Sequence, residues 1–335
     1  MKSIKTIFIF LLMMFCRNSF SQSIQILQSG TKTSIRGLSV VTDKIIWASG
    51  SNGTVAKSTD GGNTWQWLIV KDFGKRDFRD IEAFDSNTAI IMAVAEPGLI
   101  LKTKDGGKNW YKVFEDSTKG MFLDAMDFDN KGYGIVIGDP INGKLFRANT
   151  NNFGESWQKN DWAPDLKEGE AFFAASGTNL KIVVPPQKQD IFVYVSGGKV
   201  SALRQGGGYK ILPLIQGKES TGANSIDVYN YNAVIVGGDF NNDKDTTLNC
   251  VLVNLNNHFS FSHPQTPPHG YRSCVIYISE KQLITCGTSG IDISNDGGLN
   301  WKLISTESFH VVQKAKKGNA IFLAGSNGRI AKLIL

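Results

Sequence analysis

Ser58-Thr59-Asp60-Gly61-Gly62-Asn63-Thr64-Trp65 is the stretch whose reading decides the fold. A hydroxyl, an acid, a glycine and a tryptophan stand there at fixed offsets. The pattern recurs at Thr103, Asp105, Gly107 and Trp110, and again at Thr150, Asn152, Gly154 and Trp157, where Asn takes the acidic slot. Ser294, Asp296, Gly298 and Trp301 give a fourth copy. The tryptophans are 45, 47 and 144 residues apart, the last being three steps of 48. A turn motif with one large aromatic at a period of this length marks a repeat architecture.

Around the first copy the chain reads as short apolar runs broken by turn residues, with no helical period. Residues 37–41, 45–49, 54–58 and 64–70 read as four strands. Asp43, Ser51-Asn52-Gly53 and Asp60-Gly61-Gly62 supply the turns between them. Four antiparallel strands on tight loops make one propeller blade. The same plan predicts further blades over 78–115, 121–160, 168–214, 221–262 and 269–305, and a three-stranded remnant over 308–335. Residues 23–29 have no blade of their own. They are expected to supply the missing fourth strand and so cover an open sheet edge. The expectation is an all-β protein, a seven-bladed β-propeller of four-stranded antiparallel blades filling residues 22–335 as a single domain.

Residues 1–21 read differently. Lys2 and Lys5 precede an apolar run over 7–15, and Ser19 and Ser21 place small residues before a cleavage point at Gln22. That is the pattern of a secretory signal peptide, and it predicts an exported protein, periplasmic or extracellular, with no integral membrane segment. The net charge of +6 includes Lys2, Lys5 and Arg17, so the remaining chain carries +3. A balance so close to neutral argues against nucleic acid as partner. Outside the leader stand Cys250, Cys274 and Cys286, with no Cys-x-x-Cys pair to hold zinc or run redox chemistry. Cys274 and Cys286 lie on two runs joined by a short turn, and either a disulfide or two buried thiols would fit. Gly206-Gly207-Gly208 precedes a strand rather than a helix, which removes the dinucleotide-binding reading. No cofactor is expected.

In a propeller the innermost strands all begin on one face, around the mouth of a central channel. Alignment of the seven predicted inner strands puts Arg36, Arg79, Leu123, Glu170, Asn224, Arg272 and His310 in one ring. Arg36-Gly37-Leu38, Arg79-Asp80-Ile81 and Arg272-Ser273-Cys274 stand as equivalent tripeptides. Loops on the same face add Glu96-Pro97, Asp139-Pro140, Pro185-Pro186 and Gly237-Gly238-Asp239. Guanidinium forks grip carboxylates well, so Arg36, Arg79 and Arg272 are expected to bind an anionic group. Glu170, Asn224, His310, Asp139 and Asp239 would complete that site. An internal network, with the acids neutralising the arginines, is the competing reading of the same ring.

The four boxes resemble the Asp-box, or bacterial neuraminidase repeat. They are similar to those of sialidases and of exported photosystem II stability/assembly-factor-like propellers. The resemblance implies that the boxes are structural, binding turn backbone and packing tryptophan between blades. An Asp-rich loop can hold calcium, but with only one acidic side chain to offer, no box is expected to bind metal. A sialidase-like glycoside hydrolase or glycan-binding protein is the alternative. Its Arg-Ile-Pro motif is absent, since Ile35-Arg36-Gly37-Leu38 lacks the proline, and only Glu170 and Asp239 offer a carboxylate pair for it. The assembly-factor resemblance is carried by Gly138-Asp139-Pro140, Gly169-Glu170-Ala171-Phe172 and Gly237-Gly238-Asp239-Phe240. It implies a non-catalytic monomer that grips a protein client, or an acidic small ligand, at an arginine-lined channel mouth.

Overall fold

The protein is described by a computed structural model over residues 22–160, 162–183, 191–256 and 259–335. Residues 1–21, expected to be a leader and including Cys16, and Pro185-Pro186 lie outside the described residues. Seven antiparallel sheets make seven blades. Their innermost strands are Ile35–Val40, Phe78–Ala83, Leu123–Phe128, Leu180–Val183, Thr221–Tyr229, Cys274–Tyr277 and Val311–Lys314. Each inner strand packs beside the next, and Ile35–Val40 packs beside Val311–Lys314, so the ring closes.

Burial follows position within a blade. The second strand of blade 2, Ala89–Ala93, is apolar throughout and wholly buried, because sheets cover both its faces. An outermost strand such as Gln66–Ile69 is exposed at its ends and only half-buried between them. Blade 7 is completed from the other end of the chain, with Ser23–Gln28 pairing antiparallel to Ile330–Ile334 from Ser23 opposite Ile334. The predicted closing strand is therefore present, and it covers the edge that Ile330–Ile334 would otherwise expose.

The boxes lie between third and fourth strands. Ser58 Oγ accepts from Gly62 N at 2.9 Å and donates to Asp60 Oδ1 at 2.8 Å, and Asp60 Oδ1 accepts from Thr64 N at 2.9 Å. Hydrogen bonds from Thr64 hold the Asp60 pKa down to about 2. The second and fourth boxes repeat this pattern. In the third, Asn152 Oδ1 takes the carboxylate's place, accepting from Ser156 N at 3.1 Å. Gly107 shows why a glycine is needed. At φ +88° its missing Cβ would stand 3.1 Å from Leu68 and 3.3 Å from Trp47 of the preceding blade. Trp110 meets Trp47 edge-on across the same seam, centroids 6.5 Å apart. The boxes thus pin each outer turn onto its neighbouring blade.

Blade 4 departs from the expected plan. Its inner strand starts at Leu180, ten residues after the Glu170 placed there by sequence. Glu170–Ala171 pairs instead with Gly197–Gly198, which joins the inner strand of blade 5 through Gly197 and Gly222 and extends that sheet to six strands. Cys274 and Cys286 are opposite one another on adjacent strands of blade 6, both as buried free thiols, and Cys250 is a third.

Candidate functional site

The channel mouth is shaped by a bulge repeated at the start of the inner strands. Pairing shifts register between Ile35 and Gly37, Phe78 and Asp80, Leu123 and Ala125, and Ala223 and Ser225. The residue held in each bulge is Arg36, Arg79, Asp124 or Asn224. A bulge re-aims its side chain, and here three of the four, Arg36, Arg79 and Asn224, line a single cavity of about 490 Å³. Ser273 and His310, just ahead of the inner strands of blades 6 and 7, also line it.

Two of the expected ring members are therefore one residue out. In blade 3 the bulge carries Asp124, not Leu123. In blade 6 Ser273 faces the cavity, and Arg272 turns the other way. A one-residue slip sends a side chain to the opposite face. The Arg272 guanidinium is fully buried between strands. It donates to Asp292, to Tyr271 O at 2.8 Å, to Ser289 Oγ at 2.7 Å and to His269 O at 3.0 Å. With every donor engaged, it is structural. Glu170 is likewise withdrawn: buried, it accepts from Arg204 Nε at 2.9 Å, Ser196 Oγ at 2.8 Å and Lys167 N at 2.8 Å. Asp239 accepts from Asn241 N at 3.0 Å and faces Lys218 Nζ at 3.4 Å, away from the cavity. The carboxylate pair that glycoside hydrolysis would need does not face this cavity.

The remaining expected residues converge. Arg36 is half-buried and donates to Ala175 O at 3.2 Å. Burial and the neighbouring Arg79 both push its pKa down. Among the described residues no carboxylate lies within ion-pair distance of it. Arg79 pairs with Asp77 at 2.8 Å and stacks over Phe122, 5.7 Å from the ring centroid. His310 lies between Ile35 O at 2.9 Å and Ser326 Oγ at 3.2 Å. Burial, then Arg36, lowers its pKa to about 4, so the imidazole is neutral at pH 7. Asn224 Oδ1 accepts from Tyr271 at 2.8 Å, and Asp139 Oδ1 accepts from Phe172 N at 2.9 Å. Burial raises the Asp139 pKa. Asp124 is fully buried, and neither of its oxygens accepts a well-formed hydrogen bond within the described residues, the nearest donors being the amides of Asp139 and Ala174. Burial, then Asp139, raises its pKa well above the carboxylate range, which favours the neutral acid.

Sequence reasoning missed two features. One is aromatic: Phe122, Phe172, Phe173, Phe240 and Tyr271 line the same cavity. The paired Phe172-Phe173 in a loop otherwise free of large apolar residues was the available signal. The other is a plug. The loop over 172–179 takes Asp139 of blade 3 at Phe172 N and Arg36 of blade 1 at Ala175 O. Its Ser176 Oγ donates to Ser273 O of blade 6 at 2.7 Å, and Thr178 Oγ1 to Ser225 of blade 5 at 2.7 Å. Gly177, at φ +68°, abuts the Asp80 carboxylate of blade 2 so closely that a Cβ would fall 2.3 Å from it. A segment touching five other blades must lie across the axis. Phe172 to Ala175 floor the mouth, and Ser176 to Thr178 roof a second cavity of about 230 Å³ on the far side. There Lys181 pairs with Asp227 at 3.5 Å and Lys316 with Glu82, and Asp80, Asp127 and Lys314 line the same cavity.

The fold and its boxes define a seven-bladed Asp-box β-propeller with a blind, basic and aromatic mouth. Photosynthesis system II assembly factor YCF48 is the family that matches, over residues 16–119. No curated protein matches the chain. Among solved structures, "YCF48 bound to D1 peptide" is similar at 17% identity and TM-score 0.64, over 93% of this chain and 97% of that one. YCF48 from Cyanidioschyzon merolae is similar at 16% identity and TM-score 0.62, over 92% and 98%. The WD40 β-propeller domain of Doa1 reaches TM-score 0.63 at 12% identity, over 93% and 97%. The chain resembles the YCF48 family over residues 16–119, and it shares with all three structures a propeller fold.

Proposed function

We propose that this protein is an exported, non-catalytic binding module, acting as a monomer, that grips a protein client through a carboxylate held by Arg36 and Arg79. The observation that carries this reading is the state of Arg36. A half-buried guanidinium beside a second arginine, with one backbone acceptor and, among the described residues, no carboxylate within ion-pair distance, is costly unless a ligand brings further negative charge, since the nearby Asp77 is already paired with Arg79. Asn224 and His310 line the rest of the mouth, and neutral His310 adds no further positive charge there. The assembly-factor resemblance supports a polypeptide as the ligand, as does the peptide bound by the similar YCF48 structure. A photosynthetic client is not part of the proposal. Export rests on the leader, with residues 22–335 as the working domain. No helix among the described residues is long and apolar enough to cross a membrane.

Affinity capture from envelope and secreted fractions tests the reading, comparing wild type with an Arg36→Ala/Arg79→Ala double variant of unchanged melting temperature. A protein retained by wild type and lost from the variant is the expected outcome. Identical captured sets would remove the mouth from the account.

A further inference from the structure

The mouth has an apolar half that an anion alone would leave unused. Phe240 is 45% exposed, yet its ring meets Phe173 edge-on at 5.7 Å and Tyr271 at 6.3 Å. Phe173 is half-buried and Tyr271 buried, so Phe240 is the exposed outer ring of an aromatic cluster whose other members reach into the cavity floor and wall. Arg36 and Arg79 line the same cavity. The plug closes the floor beneath both halves, so a polypeptide must enter and leave on one side.

We propose that the client segment presents an acidic side chain and, within a residue or two of it, an aromatic side chain. The carboxylate meets Arg36 and Arg79, and the aromatic ring packs on Phe240, Phe173 and Tyr271. This rests on the anion-gripping reading above and adds to it the apolar half of the motif. Charge complementarity fixes the first contact. Edge-to-face packing of one more ring onto an exposed cluster fixes the second.

Three fluorescent peptides capped as amides test it: acetyl-Gly-Ser-Phe-Asp-Ser-Gly, the same with Ser for Phe, and the same with Asn for Asp. Wild type should bind the Phe-Asp peptide about tenfold more tightly than the Ser-Asp peptide, one aromatic contact's worth. Phe240→Ser should bring that ratio close to one. Its ring is exposed, so the melting temperature should hold, and Phe173→Leu repeats the measurement from the adjoining ring. Arg36→Ala should weaken both Asp peptides by a common factor and leave their ratio intact. Equal binding of the two Asp peptides by wild type overturns this inference and leaves the anion reading standing. Binding of the Asn peptide as tightly as the Phe-Asp peptide, or of neither Asp peptide, overturns both.

Discussion

Arg36 and Arg272 open matching tripeptides and meet opposite fates. Arg36 sits inside a bulge and is turned to the cavity, whereas Arg272 precedes Ser273, which takes the cavity-facing place, and is locked onto Asp292. Removing one partner of a buried ion pair strands the other charge. Arg272→Ala should therefore lower unfolding free energy by about 3–5 kcal/mol in denaturant melts, an effect Arg36→Ala should lack. His310 adds a pH signature. Its pKa is about 4 folded, against an ordinary value of 6.5, so folding favours the neutral ring. The unfolded chain binds the proton first, and the contribution is full above pH 6.5 and lost as pH falls from there towards 4. Its size is about 3 kcal/mol, from the shift between those values. Melts of wild type and His310→Gln across that window should diverge by such an amount, and parallel curves would count against a buried neutral imidazole.

At the scale of strands and turns, the boxes were legible because their hydrogen bonds require particular residues. Only a hydroxyl, an Asp or Asn and a glycine at those offsets close the turn, so period, strand plan and closing strand could all be read from them. Bulges leave no such mark. The shift around Leu123 and Asp124 is a matter of backbone pairing, and residue type does not reveal it; hence the ring was misplaced by one residue in blade 3, whereas the pairing of Cys274–Tyr277 in blade 6 shows no shift and puts Ser273 in the cavity-facing place. Blade 4 was harder still, because Glu170–Ala171 pairs with Gly197–Gly198 rather than within its own blade. The closing strand carries its own prediction. Deleting residues 23–28 should lower Tm by about 5 °C or more, and it should bare the edge of Ile330–Ile334 to pairing with other chains. Light scattering would detect that self-association. A monomer of unchanged Tm would mean that closure is dispensable.

For the molecule as a whole, the plug makes the two ends of the channel unlike. One end is a blind pocket with an aromatic wall, where Arg36 has no carboxylate within ion-pair distance among the described residues; the other holds Lys–Asp and Lys–Glu pairs. Six strand starts, two of them carrying arginines, and one inserted loop thus give the protein a single polarised face. Its client should be found there. The most direct measurement is site-specific photocrosslinking with benzoylphenylalanine, placed at Phe240 in the mouth or at Gln313 on the far side. A crosslinked client is expected from the Phe240 position alone, and it should vanish when Arg36→Ala and Arg79→Ala are added. Crosslinking from Gln313, or a Phe240 crosslink indifferent to the arginines, would mean that the client is not held at the mouth.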